Sequence, residues 1–429
     1  MKASTLMNNS KMAELKQRLL FLAFAIFIYR VGSHIPLPGV DVQAFSAKVS
    51  SDGIMGYLNI FSGGAMQRAS ILSLGLMPYI SASIIINLLS MTVPYLEKFR
   101  QGGEKGRRKI QQITRYLTVV LCLVQSLGIS GMIIAQGFVA TTYSGTYFTI
   151  MSAISLTTGT MFAMWLGEQI TERGIGNGVS ILICIGIASR LPLELGNIFM
   201  SAYDGGMALI TSIVQVAILF GLLFMIVFFE RAQRRIPIHY ARRSANIGGS
   251  AQKSFLPLKL NSAGVIPPIF ASAIMFIPMQ LGNTDWWFKA FFENLHRDVY
   301  YFVVTAATIM FFAFFYTALT FNPKDMAKNL KNSGGFIPGI RPGANTATYI
   351  DALMTKLTFI GSIYLTFIVF VPNLWHTGGG AFMIGGTGLL ISAVVIMDTS
   401  SQIQSFLMSA QYENLLKKSK KGSNASLLR

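Results

Sequence analysis

The chain has 429 residues, of which 52% are hydrophobic and 12% charged, with a formal net charge of +18. That balance excludes a single soluble domain, whose interior could not hide so much apolar surface. Two cysteines in the whole chain exclude a disulfide framework, and with four histidines scattered in loops (His34, His239, His296, His376) a metal cluster is not expected either.

Apolar runs of about 20 residues, enough to cross roughly 30 Å of hydrocarbon, recur along the whole length. Ten are read, centred on Leu19–Val31, Ile71–Leu89, Tyr116–Ala135, Phe148–Leu166, Val179–Leu195, Ala208–Phe229, Ser262–Gln280, Tyr300–Phe321, Leu357–Val371 and Gly385–Met397. The first follows Lys11, Lys16 and Arg18 as the core of a secretory signal does, but Ile35-Pro36-Leu37-Pro38-Gly39 behind it offers no small-residue cleavage site. It is read as a retained span. Cys122 and Cys184 fall inside spans and are expected to pack as small apolar groups.

Ahead of the second run, Asn59-Ile60-Phe61-Ser62-Gly63-Gly64-Ala65-Met66-Gln67-Arg68-Ala69-Ser70 is too polar and glycine-rich to face lipid, yet runs straight into an apolar helix. Two readings are open: an ordinary external loop, or a re-entrant piece enclosed by protein or a water-filled cavity. A piece that enters an aqueous funnel and ends at its neck would be a movable stopper.

Lys and Arg prefer the cytoplasmic side of short loops. With a cytoplasmic amino terminus, 29 of the 35 basic residues fall on that side, and only Arg30, Lys48, Arg68, Arg190, Lys289 and Arg297 do not. Both termini are then cytoplasmic. The basic surface sets topology and attracts anionic lipid, and it also suits an acidic or RNA-bearing partner.

Gly75-Leu76-Met77-Pro78-Tyr79-Ile80-Ser81-Ala82-Ser83 recurs 189 residues later as Gly264-Val265-Ile266-Pro267-Pro268-Ile269-Phe270-Ala271-Ser272. Ten spans split into two halves of five, and because five is odd the second half starts from the opposite side, which makes an inverted repeat. Broken apolar segments at matching places in two such halves point to the transport path, with Ile80 and Ile269 as candidates for one constriction. Glycine and proline are also common in membrane helices generally. Along the path, ionisable groups are scarce: Glu168, Glu172, Arg173, Glu230, Arg231 and Asp398 all sit at cytoplasmic helix ends. A gradient has nothing to titrate there. The spans supply aliphatic side chains with Ser81, Ser83, Asn87, Thr157 and Asn261 as neutral polar groups. An apolar neck blocks ions by dewetting while yielding to a wide substrate.

Several long motifs in order carry a resemblance across nearly the whole chain. They include Phe61-Ser62-Gly63-Gly64, Met77 to Ser83, Trp165 to Gly178, Asn261 to Pro267, Phe315-Tyr316-Thr317-Ala318-Leu319 and Gly339-Ile340-Arg341-Pro342-Gly343. On these the chain resembles the bacterial SecY family, the large subunit of the Sec protein-translocation channel. The resemblance implies an all-α polytopic membrane protein, a clamshell of two five-helix halves around an hourglass pore, opening sideways to lipid between the second and seventh spans. By motif position the pore ring falls on Leu76, Ile80, Val179, Ile183, Ile269 and Ile391, with Leu76 and Val179 standing where isoleucine is often found. The stopper, or plug, falls on roughly Asn59 to Ser73, including Asn59, Phe61, Ser62, Gly63, Gly64 and Arg68. Asn87 matches a polar position of the lateral gate, and Ser81, Ser83, Asn261 and Ser272 join it there.

Arg341, in its Gly-Ile-Arg-Pro-Gly turn, matches a position that engages the SecA motor ATPase. Arg234, Arg235, Arg242 and Arg243 belong to the loop that resembles the family's dock for SecA or the ribosome, alongside Arg231, Lys253 and Lys259. At the tip of that loop this chain reads Asn246-Ile247-Gly248-Gly249 where many relatives carry a basic pair. The implied organisation is a cytoplasmic amino-terminal segment, 1–18; a first half, 19–200, holding the plug at 59–73; a second half, 201–412, holding basic loops 230–260 and 322–356; and a basic tail, 413–429.

No Walker loop or nucleophile elbow is present, so no enzyme, catalytic residue, cofactor or metal is expected. The expected function is a passive channel of the bacterial plasma membrane for unfolded preproteins, which also passes signal sequences and apolar segments sideways into membrane lipid. Its partners would be SecE-like and SecG-like small membrane subunits, SecA, and the ribosome with its nascent chain, with no direct DNA binding. The alternative is an inverted-repeat secondary transporter of a small solute.

Overall fold

The computed structural model of the protein describes residues 2–49, 62–139, 145–203, 206–240, 254–271, 298–377 and 385–426. Its backbone is mostly helical, as hydrocarbon demands, because a helix satisfies its N–H and C=O groups within its own segment. Internal packing divides the chain into two compact units, Met1–Leu193 with Ile391–Arg429, and Glu194–Leu390.

The first unit opens with α1 (Lys2–Gly32), which carries the first apolar run, and α2 (Val42–Val49). An irregular stretch then leads into α3 (Met77–Thr92), α4 (Pro94–Gln101), α5 (Gly103–Ala135), α6 (Gly145–Arg173) and α7 (Gly178–Ala188). The second run, centred on Ile71–Leu89, begins its helix at Met77. Gly75, at φ 54°, turns the chain there, and Pro78 occupies the first helical turn, where its missing N–H leaves no bond unmade. At the far end Pro94 holds the preceding Val93 extended (φ −96°, ψ 117°), and α4 departs from α3 at 103°.

Helix α5 packs along α3 and α6, and α6 along α1 and α7. The hydroxyls of Thr114, Thr118, Ser126 and Ser130 bond to carbonyls three or four residues back, so these polar groups need no outside partner in an apolar setting. Small residues allow a close crossing: a Cβ on Gly178 would collide with the Gly167 carbonyl of α6. Asn177 caps α7, its side chain accepting from the Val179 and Ser180 amides at 3.2 and 3.4 Å.

The second unit takes in most of α8 (Leu191–Tyr203), then α9 (Met207–Arg231), β1 (Gln233–Tyr240) and β2 (Ser254–Lys259). After helical residues 266–271 come α10 (Asp298–Thr320), α11 (Pro323–Asn332), β3 (Gly335–Phe336) and α12 (Ala344–Thr377). The first turn of α13 (Gly386–Ser426) closes this unit, and the rest of α13 belongs to the first. The mostly helical chain matches the expected all-α membrane class, and to it is added a small three-stranded antiparallel sheet, in the order β2-β1-β3, with β1 and β2 in register from Gln233↔Lys259 to Ile238↔Ser254. In β1, Ile236 and Ile238 alternate with exposed Arg235, Pro237 and His239, the two-residue period of a half-buried strand. Counting this stretch as basic loop hid that alternation.

Seven described helices are long and apolar enough to cross a membrane, or eight if bent α3–α4 is one span. They contain the third to sixth and the eighth to tenth predicted runs. The first run is helical within α1, and the seventh lies largely outside the described residues. Phe220, Phe224 and Phe228 on α9 are 63%, 74% and 62% exposed, an outward face that suits lipid and not water.

Candidate functional site

Residues 62–76 are irregular yet buried: Ala65, Met66, Ala69, Ser70, Leu72, Ser73 and Leu74 are each at most 3% exposed. Of the two readings left open by the sequence, an exposed external loop is thus excluded for this part. Asn59 and Phe61 lie outside the described residues. Backbone groups that cannot pair in a helix find other partners. Ser62 Oγ accepts from the Met66 amide at 3.1 Å, Ser73 Oγ donates to the Ala65 carbonyl at 3.2 Å, and the Leu37 amide donates to the Ala69 carbonyl at 2.7 Å. Gly63 lies directly on Gly186 of α7, and its carbonyl accepts from Arg30 Nη1 at 3.2 Å and from Ser189 Oγ at 3.5 Å. Arg30 Nη1 also reaches Ser189 Oγ at 2.9 Å. Sequence reasoning missed Arg30, Gly186 and Ser189 as the seat of this segment. The available signal was Arg30 itself, an arginine at the end of a span that the charge pattern puts on the side poor in basic residues.

Of the residues expected to form the ring, Leu76 precedes α3 and Ile80 lies one turn inside it, with the Ile80 amide bonded to the Leu76 carbonyl. Val179 and Ile183 stand one turn apart on α7. Ile391 is adjacent to Ser392 of α13, whose carbonyl lies 3.8 Å from Cys184 Sγ, so α7 and α13 meet beside Ile183 and Ile391 within the first unit. Both cysteines are free and buried. Ile269, 8% exposed, belongs to the second unit, just after Pro267 and Pro268. The repeated segments share local geometry: Gly75 has φ 54° and Gly264 φ 63°, and each precedes a helix start.

Among the expected gate residues, Ser81 and Ser83 are half-buried and Asn87 is exposed on α3. Ser272 lies outside the described residues. Asn261 is 4% exposed, and its Nδ2 donates to Glu230 Oε1 at 2.6 Å and to the Gly264 carbonyl at 3.1 Å, joining the end of α9 to the broken segment.

The basic face of the second unit rests on an apolar cluster. Ile236, Leu258, Ile337, Ile350, Met354 and Leu357 form one buried cluster under the sheet, so β1 and the turn after β3 rest on the same support. On it Arg234, Arg235 and Arg341 are exposed, and the Thr346 hydroxyl donates to the Arg341 carbonyl at 3.1 Å. Arg242 and Arg243 lie outside the described residues.

Of the acids at the helix ends, Glu168 is taken up structurally, as Glu230 is by Asn261. Glu168, with its side chain 11% exposed, receives both Arg115 Nη2 at 2.6 Å and Arg115 Nε at 3.0 Å, with Gln111 Nε2 at 3.0 Å. Among the described residues no group of His, Cys, Asp and Glu could hold a metal.

The first unit thus holds a buried irregular segment against its helices, and the second a basic platform on a small sheet. The fold is similar to a structure reported as showing that the plug domain of SecY stabilises the closed state of the translocation channel and maintains a membrane seal (TM-score 0.65, 18% identity, 92% of this chain and 93% of that one). It is also similar to Sec61 in the canine ribosome–channel complex from the endoplasmic reticulum (TM-score 0.61, 18% identity, 92% and 93%). The SecY family profile matches residues 70–400, and the chain is 47% identical over 422 residues to protein translocase subunit SecY of Escherichia coli K12, covering 95% of each. The chain belongs to the SecY family. This membership sets aside the alternative expectation of a small-solute transporter.

Proposed function

We propose that this chain is the pore-forming subunit of the channel that carries unfolded secretory proteins across the bacterial plasma membrane and releases apolar segments sideways into lipid. The observation that carries the reading is residues 62–76, an irregular segment buried among helices and held at Gly63 by Arg30 and Ser189. Irregular backbone is tolerated at membrane depth only inside protein or beside a water-filled cavity. In this reading the segment is a plug that leaves when a chain enters, and Leu76, Ile80, Val179, Ile183, Ile269 and Ile391 form the gasket around it. Two five-helix halves, ten spans and cytoplasmic termini complete the arrangement. Apolar segments of sufficient length leave through the gate because hydrocarbon suits them better than a wet pore.

The channel is passive and catalyses no reaction. Small SecE-like and SecG-like membrane subunits brace it, and SecA or a translating ribosome supplies the drive by docking on the basic platform around Arg341. The test is reconstitution of the complex in vesicles with SecA, ATP and an unfolded preprotein. Protease-protected preprotein that accumulates only with all components present supports the reading; none accumulating in a complex that binds SecA normally overturns it.

A further inference from the structure

Topology accounts for the cytoplasmic cations, but it disfavours the six basic residues left on the other side. Three of those six, Arg30, Arg68 and Arg190, come together in the first unit. Arg30 is held by the Gly63 carbonyl and Ser189, and Arg190 follows Ser189 directly. Arg68 folds back beneath Gly64, with a nitrogen 3.7 Å from where a Gly64 Cβ would stand. Its Nη1 is buried and has no hydrogen-bond partner among the described residues. Burial, then the charges of Arg30 and of Arg190, pull the proton affinity of Arg68 below its ordinary value. A buried guanidinium nitrogen without an acceptor is costly, and like charges nearby raise that cost.

We infer that Arg68, with Arg30 and Arg190 around it, forms a binding site for a small inorganic anion, and that the bound anion holds residues 62–76 in their seat. An anion supplies the acceptor that Nη1 does not find among the described residues and offsets the repulsion among three guanidiniums, and the planar forks of arginine suit oxyanions. A lipid headgroup is a poor occupant, because most of residues 62–76, including Gly64, Ala65 and Met66 beside Arg68, are buried. The site stands apart from the transport reading, since it is read out by binding and not by translocation.

The test uses the purified complex with its companion membrane subunits. Thermal unfolding is followed while inorganic phosphate replaces gluconate at constant ionic strength. The native complex and Arg107→Gln, an exposed arginine elsewhere, are expected to gain about 2 °C or more, saturably. Arg68→Gln is expected to lose that gain. No difference between phosphate and gluconate in the native complex, or the full gain retained in Arg68→Gln, overturns the proposal. Should Arg68→Gln fail to fold, bromide decides: an anomalous diffraction peak within hydrogen-bond reach of Arg68 Nη1 in the native complex supports the site, and an empty position at saturating bromide refutes it.

Discussion

Gly63 and Gly186 meet backbone to backbone: a Cβ on Gly63 would stand 2.5 Å from the Gly186 Cα. Gly63 also has φ 66°, a conformation that costs an L side chain about 1–2 kcal/mol. Both facts oppose any side chain at 63. Gly63→Ala is therefore expected to unseat residues 62–76, raising resting ion conductance of the complex in a planar bilayer. Gly64→Ala shares the backbone strain (φ 84°) but meets only the Arg68 side chain, at 3.7 Å, so its effect should be smaller. Equal, unchanged conductance in both variants would remove this segment from the seal.

The proposed apolar neck is testable by removing its side chains. Ile80→Gly with Ile269→Gly deletes two sec-butyl groups, which in the proposed ring would widen and wet the constriction. Single-channel recording is expected to show a clear rise in ion leakage, larger than for either single change. A baseline equal to that of the native complex would count against the ring.

Much of this was legible before any coordinates. Apolar run length marks spans because hydrocarbon thickness is fixed, and Gly75 and Gly264 mark helix starts because only glycine takes their backbone turn cheaply. The polarity of Asn59 to Ser70 also excluded a lipid-facing place, although not an exposed one. What stayed hidden was long-range. Nothing local to Gly186 or Ser189 says that Gly63 rests on them, 123 and 126 residues away in sequence. The sheet under the basic platform was hidden differently: Arg234 and Arg235 dominate the composition there, masking the alternation of Ile236 and Ile238.

Arg341 is exposed beside a buried apolar cluster to which it does not belong, so reversing its charge should alter docking and leave folding intact. Arg341→Glu is expected to lower SecA-driven transport about tenfold, corresponding to roughly 1.4 kcal/mol, with a deficit that deepens at low salt. Arg341→Lys should fall between, keeping charge but losing the planar fork. Undiminished transport in Arg341→Glu would take this residue out of the dock.

Asn261 joins Glu230 to the Gly264 carbonyl through one amide nitrogen, at 2.6 and 3.1 Å, in a site 4% exposed. Asn261→Ala removes a donor from two acceptors and is expected to cost about 1–3 kcal/mol for each acceptor left wanting. Asn261→Asp should cost more at high pH, because two carboxylates then face each other where one hydrogen bond had been. The pair regains its bond only by holding one shared proton, so the folded variant binds more protons than the unfolded one. Stability must then fall as pH rises. Thermal unfolding of the complex should show Asn261→Asp close to Asn261→Ala near about pH 5 and well below it near about pH 8. A pH-independent gap between the two variants would mean that Glu230 and residue 261 do not share that proton, and that the observed bond is not what anchors the broken segment.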